Sequence, residues 1–165
     1  MQIVGLVAQA RLDSPLGPLT AAATDKGLAG LWFDGQAHHP GPLSVPVNAR
    51  HPLLRQARRE LAAYWKNADV KFEVPLDLQG TDFQGKVWRA LLRIRRGSTS
   101  TYAAIAARAG SAAAVRAAGA AIGRNPVSII VPCHRVLGRD GSLTGYAGGL
   151  ERKQSLLKRE GALPL

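Results

Sequence analysis

Hydrophobic periodicity changes character at Gln79-Gly80. Before that pair the apolar residues fall in short runs separated by turn residues, which is the pattern of a sheet. After it they recur at three- and four-residue spacing, and the runs end at glycines, which is the pattern of short helices. A chain of 165 residues with such a change near its middle is neither one continuous sheet nor one bundle. The expectation is an α+β protein of two domains, 1–79 and 80–165, each able to bury a small core.

In the first half, Ile3 to Leu12, Leu19 to Thr24 and Leu28 to Phe33 read as an antiparallel meander. Ser14-Pro15-Leu16-Gly17 and Asp25-Lys26-Gly27 supply its turns, with Pro fixing φ and Gly free to take positive φ. Asp34 to Pro52 is rich in Gly, Pro and His and reads as a loop, with His38 and His39 as loop residues rather than ligands. Leu53 to Asn67 has helical spacing through Leu54, Ala57, Leu61 and Tyr64 or Trp65. Phe72, Val74, Leu76 and Leu78 alternate with polar residues and Pro75, so this segment is predicted to be an edge strand.

In the second half, Thr81 or Asp82 can cap a helix carrying Phe83, Val87, Leu91 and Ile94, which Gly97 stops. A short helix over Tyr102 to Ala109 follows, and Ser111 is expected to cap a third over Ala112 to Ile122. Two short helices joined by a glycine turn form a helix-turn-helix pattern. The third segment, AAAVRAAGAAIG, fits two readings. It is a recognition helix whose small side chains admit close approach to DNA, or an Ala-rich core helix with Arg116 in solvent. Val127 to Val131 reads as a buried strand, and Val136-Leu137 with Ser142 to Thr144 as a hairpin wing about Arg139-Asp140-Gly141. Leu150 to Glu160 reads as a closing helix, with Gly161 just past its end. The whole is a mainly helical, winged-helix-like domain.

Charge follows the same division. Residues 1–79 hold 8 basic and 7 acidic residues, whereas residues 80–165 hold 14 and 4. Nearly all of the net charge of +11 lies in the second half, so a polyanionic partner is expected there. The single Cys excludes an intrachain disulfide and a Cys-rich zinc site, and a reducing compartment follows. No apolar run has the length of a membrane span. The opening MQIVGLVAQARLDS lacks a basic n-region and a cleavage site, so the protein is expected to be cytoplasmic.

That Cys is Cys133, within Val131-Pro132-Cys133-His134-Arg135-Val136. Neighbouring positive charge lowers a thiol pKa, and His acts as a general base near neutral pH. A thiol hydrolase would show the same pair, but no cysteine-protease signature surrounds it.

NPVSIIVPCHRV followed by GSLTGYAGGLERKQSLLKREG resembles the O6-alkylguanine-DNA alkyltransferase family, the methylated-DNA–protein-cysteine methyltransferases. The resemblance runs upstream through TDFQGKVWRALLRI, STSTYAAIAARAG and AAAVRAAGAAIGRNP and is weaker over 1–79, where a ribonuclease-H-like domain is implied. The length fits the stand-alone form.

The resemblance implies irreversible, single-turnover transfer of an alkyl group from O6 of guanine, and also from O4 of thymine, onto Cys133. His134 is then the base acting through a water, Glu160 orients it, and Tyr102 donates to the flipped base. Arg116 fills the gap left in the duplex, with the helix in the minor groove, and Asn125 is the hinge between that helix and the Cys segment. Thr101, Ala117, Arg124 and Arg135 are implied to contact DNA. Val136, Thr144, Tyr146 and Ala147 are implied to wall the base pocket, Ala147 standing where some relatives carry Ser. No metal and no cofactor is implied. The partner is double-stranded DNA bearing O6-alkylguanine, bound by a monomer that can cluster along it. Alkyltransferase-like lesion sensors, which lack the nucleophile, and winged-helix regulators are the competing readings; Cys133 argues against the first, and the second leaves the PCHR core and Glu160 unexplained.

Overall fold

In the computed structural model, which describes residues 2–163, alternation of Ala8, Ala10 and Leu12 buries one side of β1 (Leu6–Leu12). β1 pairs antiparallel with β2 (Leu19–Thr24), and β2 with β3 (Leu28–Phe33), in the order β1-β2-β3. This is the expected meander, but β1 starts three residues late. Gly5 takes φ +82°, and the Gln79 side chain occupies both backbone groups of Val4 at 2.8 Å, so no strand partner can use them.

α1 (Pro52–Lys66) lays Leu54, Ala57, Leu61 and Tyr64 into the core of this unit. His51 caps it, and proline stands in its first turn, where a missing N–H costs nothing. The expected edge strand over Phe72 to Leu78 reduces to one parallel bridge, Leu28 to Leu76, held by two backbone hydrogen bonds at 2.7 and 2.9 Å. Pro75 supplies an acceptor there and has no N–H to extend the ladder. Its backbone passes so near Gly27 that a Cβ at that position would stand 2.7 Å from the Leu76 carbonyl carbon.

The chain divides into two compact units between Gln79 and Gly80. The second unit opens with α2 (Asp82–Leu91), whose N-terminus carries a capping box between Thr81 and Gln84. α2 stops before Ile94, which reaches the core from the following turn instead. β4 (Ser100–Thr101) leads into α3 (Tyr102–Arg108), and α4 (Val115–Gly123) follows. The three helices pack on one another, and the Trp88 indole N–H, wholly buried, donates to the Ala121 carbonyl at 2.8 Å.

Three expectations for this unit differ. Ser111 does not cap α4; residues 111–114 form a turn closed by Ala114 N–H on the Ser111 carbonyl, and the helix begins at Val115. Val127 to Val131 is buried but is a turn, because Ile129 takes φ +73°, which an extended strand cannot contain. The second wing strand does not form. β5 (Val136–Leu137) pairs in parallel with β4, and residues 138–142 close a tight turn on themselves. α5 (Leu150–Arg159) ends the described chain, capped by Glu160 before Gly161 at φ +78°. No helix among the described residues is long and apolar enough to cross a membrane.

Candidate active site

Cys133 begins a single 3-10 turn, Cys133–Arg135, at the end of the buried 125–132 segment. Asn125 ties that segment into a closed loop. Its Nδ2 donates to the Val131 carbonyl at 2.8 Å, and its Oδ1 accepts from Val127 N–H at 3.0 Å. A side chain thus stands in for the strand partner that the apolar run lacks. Ile129, β-branched and left-handed, is a conformation that costs about 1–3 kcal/mol and persists only where its surroundings enforce it.

His134 is wholly buried, and its Nε2 lies 2.9 Å from Glu160 Oε2. Glu160 also accepts from Arg135, Nε to Oε1 at 2.9 Å and Nη2 to Oε2 at 3.1 Å. Burial alone would raise this carboxyl, but hydrogen bonds and charge from His134 and Arg135 outweigh it and hold the group down at about 2. It is therefore a carboxylate and can only accept. Burial holds His134 below its ordinary pKa, against the pull of Glu160. A neutral imidazole whose Nε2–H faces a carboxylate leaves Nδ1 as a bare base. His134 Nδ1 is buried with no hydrogen-bond partner among the described residues.

The Cys133 thiol is pushed up to about 11 by burial, with partial relief from an Asn125 hydrogen bond and the charge of Lys153. Lys153 is wholly buried on α5, and burial lowers it to about 8 while the Cys133 charge pulls it back up. Its Nζ donates to the carbonyls of Thr144 and Gly145 at 2.8 and 3.2 Å. Sequence reasoning missed this residue. The signal was present: Lys153 stands three residues after Leu150 and four before Leu157, on the apolar stripe of α5. Its grip on residues 144–145 also accounts for the missing wing strand, since those carbonyls point to α5 and not to β5.

Thr144 Oγ1 donates to Tyr102 Oη at 3.1 Å, so the phenol keeps its own proton for another acceptor. Tyr146 and Ala147 lie half-buried in the same segment, whereas Val136 is fully enclosed in β5. Arg116 and Ala117 are exposed in the first turn of α4, which has no side-chain cap, and Arg124 is exposed at its other end. Thr101 is occupied, its hydroxyl accepting from Ala104 N–H to cap α3. Arg135, implied to contact DNA, is engaged within the protein. Its side chain is 11% exposed, and its remaining donor meets the Ile94 carbonyl at 2.6 Å. The structure thus brings Cys133, His134, Glu160, Arg135 and Asn125 into one buried set, with Lys153 coupled to it by charge.

A family profile described as "6-O-methylguanine DNA methyltransferase, ribonuclease-like domain" matches residues 7–78, and one described as the DNA binding domain of the same protein matches residues 82–162. A methylated-DNA–protein-cysteine methyltransferase of Mycolicibacterium paratuberculosis is 45% identical over 90% of this chain and 89% of its own. One from Methanosarcina barkeri is 45% identical over 90% and 94%. Among solved structures, Mycobacterium tuberculosis O6-methylguanine methyltransferase superposes with a TM-score of 0.83 at 44% identity, covering 94% of this chain and 93% of that one. The same organism's protein in complex with DNA gives 0.85 at 43% identity, over 94% of both chains. The two profiles lie on either side of the division at Gln79-Gly80, and the chain belongs to the methylated-DNA–protein-cysteine methyltransferase family.

Proposed function

We propose that this chain repairs O6-alkylguanine in duplex DNA by moving the alkyl group onto its own Cys133. The observation that carries the reading is the ionised Glu160 against Nε2 of a buried, neutral His134, which leaves Nδ1 as a base next in sequence to the only thiol.

The thiol proton passes to Nδ1 through one water; polar sites of this kind hold such waters. The thiolate attacks the alkyl carbon, an S–C bond forms, and the C–O6 bond breaks with its electron pair going to guanine oxygen. Tyr102 donates to the departing base, and the proton on His134 restores the phenol. The products are S-alkylcysteine and unmodified guanine. The thiol is itself the acceptor, so the balance closes without another donor. A thioether does not leave again, so each chain acts once. O4-alkylthymine presents the same alkyl–oxygen bond and is a second substrate by the same chemistry.

The base must leave the stack to reach a buried thiol, at a cost of a few kcal/mol. Arg116 and Ala117 at the uncapped start of α4 approach the duplex, Arg116 fills the gap, and Arg124 meets phosphate. Asn125 positions Cys133 relative to α4 as the hinge. Thr144, Tyr146 and Ala147 wall the base, with Val136 packed behind them. Arg135 acts as a positioning residue for Glu160, not as a DNA contact. All of these residues lie in 80–165 of one chain, so a monomer suffices for the transfer, and we place it in the cytoplasm.

One equivalent of O6-methylguanine duplex is expected to add one methyl to the Cys133 peptide, read by mass after digestion, and to leave the protein spent. Cys133→Ala binds the duplex without any shift. Tight lesion binding with an unshifted Cys133 peptide in the unaltered protein would overturn the transfer and favour lesion sensing.

A further inference from the structure

The outer side of α1 carries four cations, of which only Arg58 has a side-chain hydrogen-bond partner among the described residues. The helix turns Leu54, Ala57, Leu61 and Tyr64 inward, while Arg55, Arg58, Arg59 and Lys66 are exposed. Arg58 donates to the Arg11 carbonyl at 3.0 Å. The side chains of Arg55 and Arg59 make no hydrogen bond or ion pair among the described residues.

Three acidic residues of this unit are engaged away from these arginines. The one carboxylate on α1, Glu60, is turned to the backbone, accepting from Glu73 and Val74 N–H at 3.0 and 3.1 Å and from Gln56 at 2.9 Å. Asp34 holds Arg11, and Asp77 accepts from Thr24. No acidic residue stands in the first turn of α1, where the helix dipole would favour one. Residues 1–79 are nearly balanced at 8 basic and 7 acidic, yet four of those cations are gathered on one side of one helix. An overall arginine bias would raise their number without sorting them. Like charges three and four residues apart destabilise a helix, and a polyanion laid against them removes that repulsion.

We propose that the outer face of α1 is a second nucleic-acid contact of this protein, binding the phosphate backbone of duplex DNA through Arg55, Arg58 and Arg59 with no reading of bases. The chemistry is that of flexible, hydrated guanidinium groups on phosphate oxygens, which positions a protein on a duplex without selecting sequence. It adds to the duplex contact proposed for α4 and has no part in the transfer.

The test uses the full chain and a lesion-free duplex. Affinity is measured across a range of salt for the unaltered protein, for Arg55→Gln with Arg59→Gln, and for Arg55→Lys with Arg59→Lys. The double Gln variant is expected to reduce the slope of log affinity against log salt by about 1–2 and to weaken low-salt binding by roughly tenfold or more. The double Lys variant keeps the charge and restores the slope. Both side chains are exposed and make no hydrogen bond or ion pair among the described residues, so melting temperature and transfer from free O6-benzylguanine stay unchanged. A double Gln variant with the slope and affinity of the unaltered protein overturns the proposal and makes this face a solvated surface or a site for another partner.

Discussion

The two units bury different kinds of groups. In 1–79 the buried polar residues are Thr24 and Gln36, and neither carries charge. In 80–165 they are Asn125, Ser128, His134, Lys153 and Glu160, so the buried His, Lys and Glu of the described residues all gather in the unit that holds Cys133. The first unit is stabilised by apolar area, with Leu19, Leu28, Leu31 and Phe33 fully enclosed. The second accepts the desolvation of charges, which is repaid only while each keeps its partner. The difference marks which unit is built for chemistry, and substitutions in the two should fail in different ways.

The largest contrast sets Glu160→Gln against Leu31→Ala. Leu31→Ala opens a cavity in the sheet core and is expected to cost about 2–5 kcal/mol of stability, read by denaturant unfolding. Per folded molecule its transfer rate should hold. Glu160→Gln leaves Arg135 without its carboxylate and frees the His134 tautomer, so transfer should fall by roughly 10²-fold or more, as loss of general-base catalysis does. The pH dependence separates them further. A carboxyl held at about 2 when folded, against about 4 unfolded, adds stability that is complete above the unfolded value and lost as pH falls through about 4 to 2. Leu31→Ala keeps this acid limb, and Glu160→Gln loses much of it. Equal acid limbs would break the comparison.

The second contrast lies inside the catalytic unit. Lys153 supplies both a cation near Cys133 and two hydrogen bonds to residues 144–145. Lys153→Met removes the charge that favours the thiolate, so the alkaline rise of transfer from free O6-benzylguanine should move up in pH. A shift of one unit lowers the neutral rate about tenfold. An unmoved pH profile with a slower rate throughout would assign Lys153 to holding the 144–145 segment alone.

Legibility differed along the same line. The meander, α1, α2, α3 and α5 were readable because periodicity and caps are local signals, as in the Thr81–Gln84 capping box. The buried pair His134–Glu160 was readable only through the family resemblance, since nothing local joins residues 26 apart. The failures fall where side chains replace backbone partners. Asn125 and Ile129 turn the run 127–131 away from a strand, and Lys153 withholds 144–145 from a hairpin. Arg135 is implied by the resemblance to contact DNA, and Glu160 and the Ile94 carbonyl, both distant in sequence, turn it inward.

The smallest effect separates two uses of arginine. Arg116 is the only long charged side chain on α4, among alanines that permit close approach, whereas the arginines of α1 crowd an outer face. A residue that fills the gap left by a flipped base should change the rate on duplex substrate and leave the free base alone. Arg116→Ala is expected to slow transfer from O6-methylguanine duplex roughly fivefold, about 1 kcal/mol of lost support for the flipped state, with no change toward free O6-benzylguanine. Its salt slope should fall by no more than about one, since one guanidinium neutralises one phosphate at most. Equal losses on both substrates would remove Arg116 from the gap. A pure change in salt dependence would place it beside the α1 arginines as one more backbone contact, and the distinction between reading a lesion and holding a duplex would then rest on the buried set around Cys133 alone.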